Sequence, residues 1–286
     1  MDARLVPSNG VVAARGWEGR VEATRFVDPD PRPCRAAVAE VRAAPEPGAA
    51  RLTELVSGEV FDVLELRDGW AFGAVAADGY AGWVEATGLA VAEGFEPTHT
   101  IAVARTLLRS AGALKSPDVP RPLSWGTRVA ALEETRDGSG VDWVRVRTAG
   151  EEGWLPKGHL VPIDAPSDDP AEGASRFLGV PYLWGGRSGF GLDCSALTQL
   201  AWAAAGVALP RDSDQQQAAV APVAADDLRR GDLVFWKGHV GMLLDPGTLI
   251  HANAHHMAVA VEPLAEAIER IGAREFGAVT GYGRPG

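Results

Sequence analysis

GFGLDCSALTQLAWAAAGVALPR, residues 189–211, sets one cysteine between an aspartate and a serine, where a glycine-rich loop turns into an apolar run. Ser195 to Ala205 holds few helix breakers and stops at Gly206, a residue type that ends helices. Asp193 is a good N-cap, because its carboxylate can accept an N–H of the first turn. The stretch therefore predicts a helix with Cys194 at its first position. A free thiol has a pKa of about 8.5 and is mostly protonated at neutral pH. The N-terminus of a helix carries about half a positive charge, which favours the thiolate. The unpaired N–H groups there can also hold the oxyanion formed when a carbonyl is attacked. The competing reading of such a cysteine is a small buried hydrophobe.

A thiol nucleophile needs a base, and the chain has six histidines: His99, His159, His239, His251, His255 and His256. HVGMLLD and TLIHAN read as strands on either side of the turn residues Asp245, Pro246 and Gly247. A three-residue loop pairs residue 244 with 248 and 241 with 251. His239 then sits diagonal to His251 on one face, with Cβ atoms about 7–8 Å apart. A two-residue turn would send the rings to opposite faces. In the first register one imidazole orients the other. His239 is read as the base and His251 as its orienter, although the pairing alone does not force that order. His255-His256 beside HAN could suggest a metal, but no cysteine or acidic cluster stands at ligand spacing, so none is expected. Cys34 reads as an incidental thiol.

Upstream, the linker VPIDAPSDDPAEG has no apolar periodicity. Residues 1–37 read as an irregular N-terminal extension, with FVDPDPRPC a loop by its prolines. Between them lies a weak internal repeat. SGEVFDVLELRDGWAFGAVAADGYAGWVEATGLA and WGTRVAALEETRDGSGVDWVRVRTAGEEGWLPKGHLV both run from a turn glycine through a strand, a polar turn, a Trp-led strand, then Gly-Trp and a closing leucine. Trp83 to Leu89 and Trp154 to Leu160 share a spacing of 6. Two β-barrels of about 60 residues follow, 38–92 and 93–164, with a single irregular β-sandwich as the alternative. The C-terminal domain, 170–286, opens on AEGASRFLGV, a helix in which Ala174, Phe177 and Leu178 share a face. After the Cys194 helix come antiparallel strands, an α+β arrangement.

The formal net charge of −11 argues against nucleic acid or an anionic membrane surface as the partner. No apolar run approaches the roughly 18 residues of a membrane helix, and the first residues lack the apolar core of a secretory signal. Two cysteines do not make a disulfide framework, so a reducing cytoplasm is the expected home.

PYLWGG, LDCSALTQ, LPRDSDQQ, RRGDLVFW, HVGMLL and LIHA, in that order over residues 170–286, resemble the NlpC/p60 family of papain-like cysteine peptidases. The repeats ahead of them resemble bacterial SH3-type barrels. The resemblance implies a multidomain chain, two small SH3-like β-barrels followed by an α+β papain-like peptidase domain. It also implies Cys194 as nucleophile, His239 as base and His251 as the third, polarising residue, which settles the order left open above. One branch with this domain order is similar to γ-D-glutamyl-L-diamino acid endopeptidases, which cut free peptides beginning L-Ala-γ-D-Glu after the D-glutamate. In that branch a barrel closes part of the cleft, so that only a free amino terminus fits. The implied partner is a small peptide, and no cofactor is implied. Asp193 and Ser195 flank the nucleophile and could meet the amine. Ser213 falls where the family presents a hydroxyl, Tyr80 matches a tyrosine over the cleft, and Glu54 is a further barrel carboxylate for the amine. DCSA stands here for the commoner DCSG and HVGM for HVGI, and neither removes a functional atom. Two other functions compete: a wall-binding protein with a spent peptidase domain, and a papain-like amidase or acyltransferase.

Overall fold

The two copies of the repeat fold alike. In each, Gly-Trp lies in a short strand (Ala81–Glu85, Glu152–Pro156), a 3-10 turn follows (Ala86–Gly88, Lys157–His159), and a leucine closes it (Leu89, Leu160). The glycine answers to close strand packing: a Cβ on Gly82 would lie 2.6 Å from Val41 Cγ1, and one on Gly153 2.7 Å from Arg109 O. The computed structural model describes residues 1–91, 94–167 and 169–286, and the chain divides into two units, Met1–Ala165 and Pro166–Gly286.

In the N-terminal unit the first copy forms a six-stranded sheet in the order 30–33, 60–67, 70–75, 81–85, 38–42, 51–56. It closes over Val41, Leu55, Phe61, Ala71, Val75 and Val84. The second copy forms a five-stranded sheet in the order 152–156, 142–147, 128–136, 99–101, 160–162, with a hairpin of 105–108 and 121–124. Its core is Ile101, Leu108, Leu123, Val129, Val146 and Leu155. Each copy of the repeat thus has a core cluster of its own. The expected division between residues 92 and 93 lies outside the described residues, as does Asp168 of the linker.

The first 37 residues depart from the expectation of an extension. Asp30–Pro33 is the edge strand of the first sheet, paired antiparallel with Val60–Val63. Two prolines fit there because the strand has a neighbour on one side only. Cys34 N–H reaches Glu59 O at 2.7 Å, so alternation points Arg32 and Cys34 inward and leaves Pro31 and Pro33 where an N–H would face away. Val12 and Ala14 pack on Leu64, Trp70, Phe72 and Trp83. Cys34 is fully buried in the first core, and burial pushes its thiol up to about 12, so it is a structural residue there.

The C-terminal unit has four helices among the described residues: α1 (Pro170–Ser175), α2 (Cys194–Ala204), α3 (Ser213–Ala219) and α4 (Leu264–Arg274). Its six-stranded antiparallel sheet runs 221–222, 281–284, 233–236, 239–245, 248–253, 258–263. The α2 helix packs on the strands His239–Asp245 and Thr248–Asn253. α4 closes a core with Val234, Trp236, Leu243 and Leu249. Ala174 and Phe177 are buried as expected, but Leu178 is exposed. The helix ends at Ser175 and continues in tighter i to i+3 bonds, which turn Leu178 outward. No described helix is long and apolar enough to cross a membrane.

Candidate active site

Cys194 is the first residue of α2, and Asp193 is the N-cap, accepting Ala196 N–H at 2.9 Å. The Asp193 carboxylate does more than cap. Its Oδ1 also takes Ser195 Oγ–H at 3.1 Å and Arg211 Nη1 at 2.9 Å, and its Oδ2 takes Gly185 N–H at 3.0 Å and Arg211 Nη2 at 2.7 Å. Arg211 also donates to Ser195 Oγ at 2.9 Å and to Gly186 O at 3.2 Å. Asp193 and Ser195, both expected to meet a substrate amine, are thus tied into a buried ion pair that frames the helix mouth. Gln216 adds a second clamp, from its Nε2 to Ser195 O and Pro210 O, both at 2.9 Å. Ser213 is half-buried and opens α3, two residues past Arg211.

Burial pushes the Cys194 thiol up to about 12, and the Asp193 charge adds to this. The N–H groups of Val240 and Ser195 and the Arg211 guanidinium pull the other way without offsetting it. Burial thus favours the protonated sulfur. The helix N-terminus alone, which the sequence offered as the source of a thiolate, is outweighed by desolvation. The Val240 N–H bond places the sulfur beside the first peptide of the His239 strand.

The histidine hairpin takes neither of the two simple forms. Asp245 pairs with Thr248 across a two-residue turn, which alone would part the rings. A bulge at Leu244 restores the Leu243–Leu249 and Met242–Ile250 pairs, so the rings share a face after all. His239 Nε2 lies 2.8 Å from His251 Nδ1, with ring centroids 5.1 Å apart. Gly241, directly opposite His251, leaves room for this: a Cβ there would stand 2.7 Å from Leu249 Cδ1 and 3.2 Å from His251 Cβ. His239 also stacks on Phe276, at 5.3 Å and 7°. Burial, then the neighbouring His251, holds His239 well below the usual imidazole range, and burial lowers His251 too. His251 Nε2 meets Glu262 Oε1 at 2.7 Å, and Arg270 Nη2 meets the same oxygen at 2.5 Å.

Residues 179–270 match the profile of the NlpC/P60 family, and residues 41–89 that of the bacterial dipeptidyl-peptidase SH3 domain. The chain carries an NlpC/P60 domain. Two curated relatives are named gamma-D-glutamyl-L-lysine dipeptidyl-peptidase. The one from Bacillus cereus is 32% identical over 158 residues, which is 50% of this chain and 46% of the relative. The one from Bacillus subtilis is 30% identical over 204 residues, 66% of each. The aligned part thus spans from about half to about two thirds of these relatives. A crystal structure of an NlpC/P60 family protein from Bacillus cereus superposes with a TM-score of 0.74 over 89% of this chain and 99% of that one, at 23% identity, a likeness of fold.

Sequence reasoning missed several residues of the NlpC/P60 domain. Arg211 and Gln216 lay inside LPRDSDQQ, whose buried partners no spacing announces. Tyr182, in PYLWGG, senses the charges of Cys194 and Asp193, and burial raises its phenol so that it keeps its proton. Glu262 and Phe276 belong to a strand and a turn the sequence did not resolve. The acidic partner that the histidine pair seemed to lack is Glu262: donor atoms of His251, His256 and Glu262 lie within 4.8 Å of one another, two imidazoles and a carboxylate of the kind that bind zinc. His251 and the Arg270 cation already hold the carboxylate oxygen, which opposes a second cation. In the N-terminal unit, Tyr80 is 4% exposed and packs in the first core rather than standing on its surface. Glu54 is buried there, 3.7 Å from Arg51.

Proposed function

We propose that the chain is a cysteine peptidase that hydrolyses the γ-D-glutamyl-L-diamino acid bond of free cell-wall peptides with an N-terminal L-Ala, in murein peptide recycling or scavenging. The observation that carries this reading is the bonded His239–His251 pair on the strands against which the Cys194 helix packs. The named relatives support the bond class.

His239 Nε2 is engaged by His251, so its Nδ1 exchanges protons with Cys194. Because burial keeps the resting thiol protonated, proton transfer accompanies attack. The Cys194 thiol gives its proton to His239 as sulfur bonds to the γ-carbonyl carbon. Backbone N–H groups of the first turn hold the oxyanion, and the Tyr182 hydroxyl remains a donor nearby. His239 passes the proton to the leaving amine, and the C–N bond breaks. Water then attacks the thioester, giving a proton to His239, which returns it to the sulfur as L-Ala-D-Glu departs. Asp193, saturated by Arg211, serves here as frame, with Ser195, and Ser213 is assigned a hydroxyl contact to the peptide. Tyr80 and Glu54 enter through the resemblance alone, as contributors to selection of the free amine. Tyr80→Phe and Glu54→Gln are expected to raise KM with kcat preserved.

Mass spectrometry of L-Ala-γ-D-Glu-diamino acid peptides tests the whole reading. The expected product is the L-Ala-D-Glu dipeptide, absent with Cys194→Ala and absent when the L-Ala nitrogen is acetylated. No product at all would favour a binding protein, and a cut elsewhere an amidase.

A further inference from the structure

Resting on that reading of Cys194, His239 and His251, we propose that Glu262, held by Arg270, is a positioning residue that fixes the tautomer of both histidines and so makes His239 Nδ1 the basic atom. The geometry dictates the sequence of steps. The Glu262 carboxylate lies well below the usual range, held there by its bond from His251 and by Arg270, so it is ionised and can only accept. Its 2.7 Å contact with His251 Nε2 therefore requires a proton on that nitrogen. A neutral His251 with its proton on Nε2 presents a lone pair at Nδ1. The 2.8 Å contact between His251 Nδ1 and His239 Nε2 then requires a proton on His239 Nε2. The lone pair of His239 is left on Nδ1. Inverting the pair would set the His251 Nε2 lone pair against a carboxylate at hydrogen-bond distance, which is repulsive.

The sheet builds this line without effort. Glu262 pairs with Leu249, two residues from His251, so the two side chains are diagonal neighbours on one face, as are His239 and His251. Arg270 on α4 closes the end: it bonds Glu262 and pairs with Glu275, the neighbour of Phe276, whose ring stacks on His239. One arginine thus holds the carboxylate and the segment that covers the base. The charged and titratable groups facing the two rings are Glu262, Arg270 and His256, with Glu275 behind Arg270. Glu262 favours a cationic His239 and Arg270 opposes it.

Nitrogen NMR on labelled Cys194→Ala protein reads the tautomers with no substrate present. At neutral pH, both His239 and His251 are expected to carry the proton on Nε2. The side-chain amide of Glu262→Gln can turn an N–H toward His251 and let the line invert. Glu262→Gln is therefore expected to lower kcat by at least about 10-fold and up to about 10⁴-fold, the loss when a base takes the wrong tautomer, with KM within about two-fold. It should also move the His239 titration to lower pH, while Arg270→Met moves it to higher pH. The opposite signs report the two charges, and the tautomers report the positioning, because a purely structural contact would leave the site of the His251 proton the same in Glu262→Gln. A proton on His251 Nδ1, an unchanged kcat in Glu262→Gln, or shifts of the same sign in both variants would overturn the proposal. Failure of the wild-type protein to cut the γ-glutamyl peptide would overturn the substrate assignment alone, since the tautomers are read without it.

Discussion

Asp193 caps α2 and anchors Arg211, and the two roles act oppositely on the thiol beside it. Its negative charge raises the Cys194 pKa, and Arg211 lowers it. The pair is buried, with side chains 1% and 11% exposed for Arg211 and Asp193. Removing one member of such a pair leaves an uncompensated charge and costs about 3–5 kcal/mol. Arg211→Met is therefore expected to destabilise the C-terminal unit by that amount in urea titration, and to slow iodoacetamide alkylation of Cys194 at a given pH. A variant as stable and as reactive as wild type would show that Asp193 needs no counter-charge. Cys194, its cap and the two histidines were legible because each sits at a position with a local rule: a helix start, a turn, a strand alternation. Arg211 was not legible, because its partners lie 16 and 18 residues back along the chain and burial decides its role.

At the scale of the element, the hairpin shows why register rather than composition makes the candidate site. The alternation was readable, and so was the need for an odd offset between the strands. The device that supplies it, a bulge at Leu244 beside a two-residue turn, leaves no mark in DPG itself. Gly241 is the other requirement. Because Leu249 is fully buried under α4, it cannot swing freely from an added methyl. Gly241→Ala is expected to cost about 1–3 kcal/mol of stability, the range for overpacking. It should also lower kcat by up to about 100-fold, the scale on which a misplaced catalytic group loses rate, with KM nearly unchanged. A kcat equal to wild type would mean that the His251 ring tolerates displacement. The strands Asp30–Pro33 and Ala258–Pro263 went unread for opposite reasons. Prolines disguise the first as a loop, and only an edge position permits it. The second follows His255-His256-Met257, a turn with no glycine or proline, in which Met257 takes φ 50°.

Across the whole molecule, the two units differ in the titratable rings they bury. The N-terminal unit contains the half-buried His159, lowered by desolvation. The C-terminal unit contains His239 and His251, 3% and 0% exposed, both lowered chiefly by burial. An unfolded chain returns each imidazole to about 6.5, where it binds protons more readily than the folded one. Stability from their neutral burial is therefore fully present above about pH 6.5 and is lost as pH falls toward the folded values. Glu262 adds a second loss at lower pH. Its folded pKa is about 2 against an ordinary 4.5, so its contribution is present above the ordinary value and disappears as pH falls through the folded one. The urea midpoint of the C-terminal unit is thus expected to drop steadily from pH 7 to pH 5, before carboxylates matter, while that of the N-terminal unit changes less. Following each unit by NMR at pH 5, 6, 7 and 8 separates them. Replacing both His239 and His251 with Phe should flatten the slope between pH 7 and 5. A C-terminal midpoint that is already flat in the wild-type protein would mean that the two rings take up protons in the folded state as readily as in the unfolded chain, which removes the neutral, carboxylate-directed pair on which the mechanism turns.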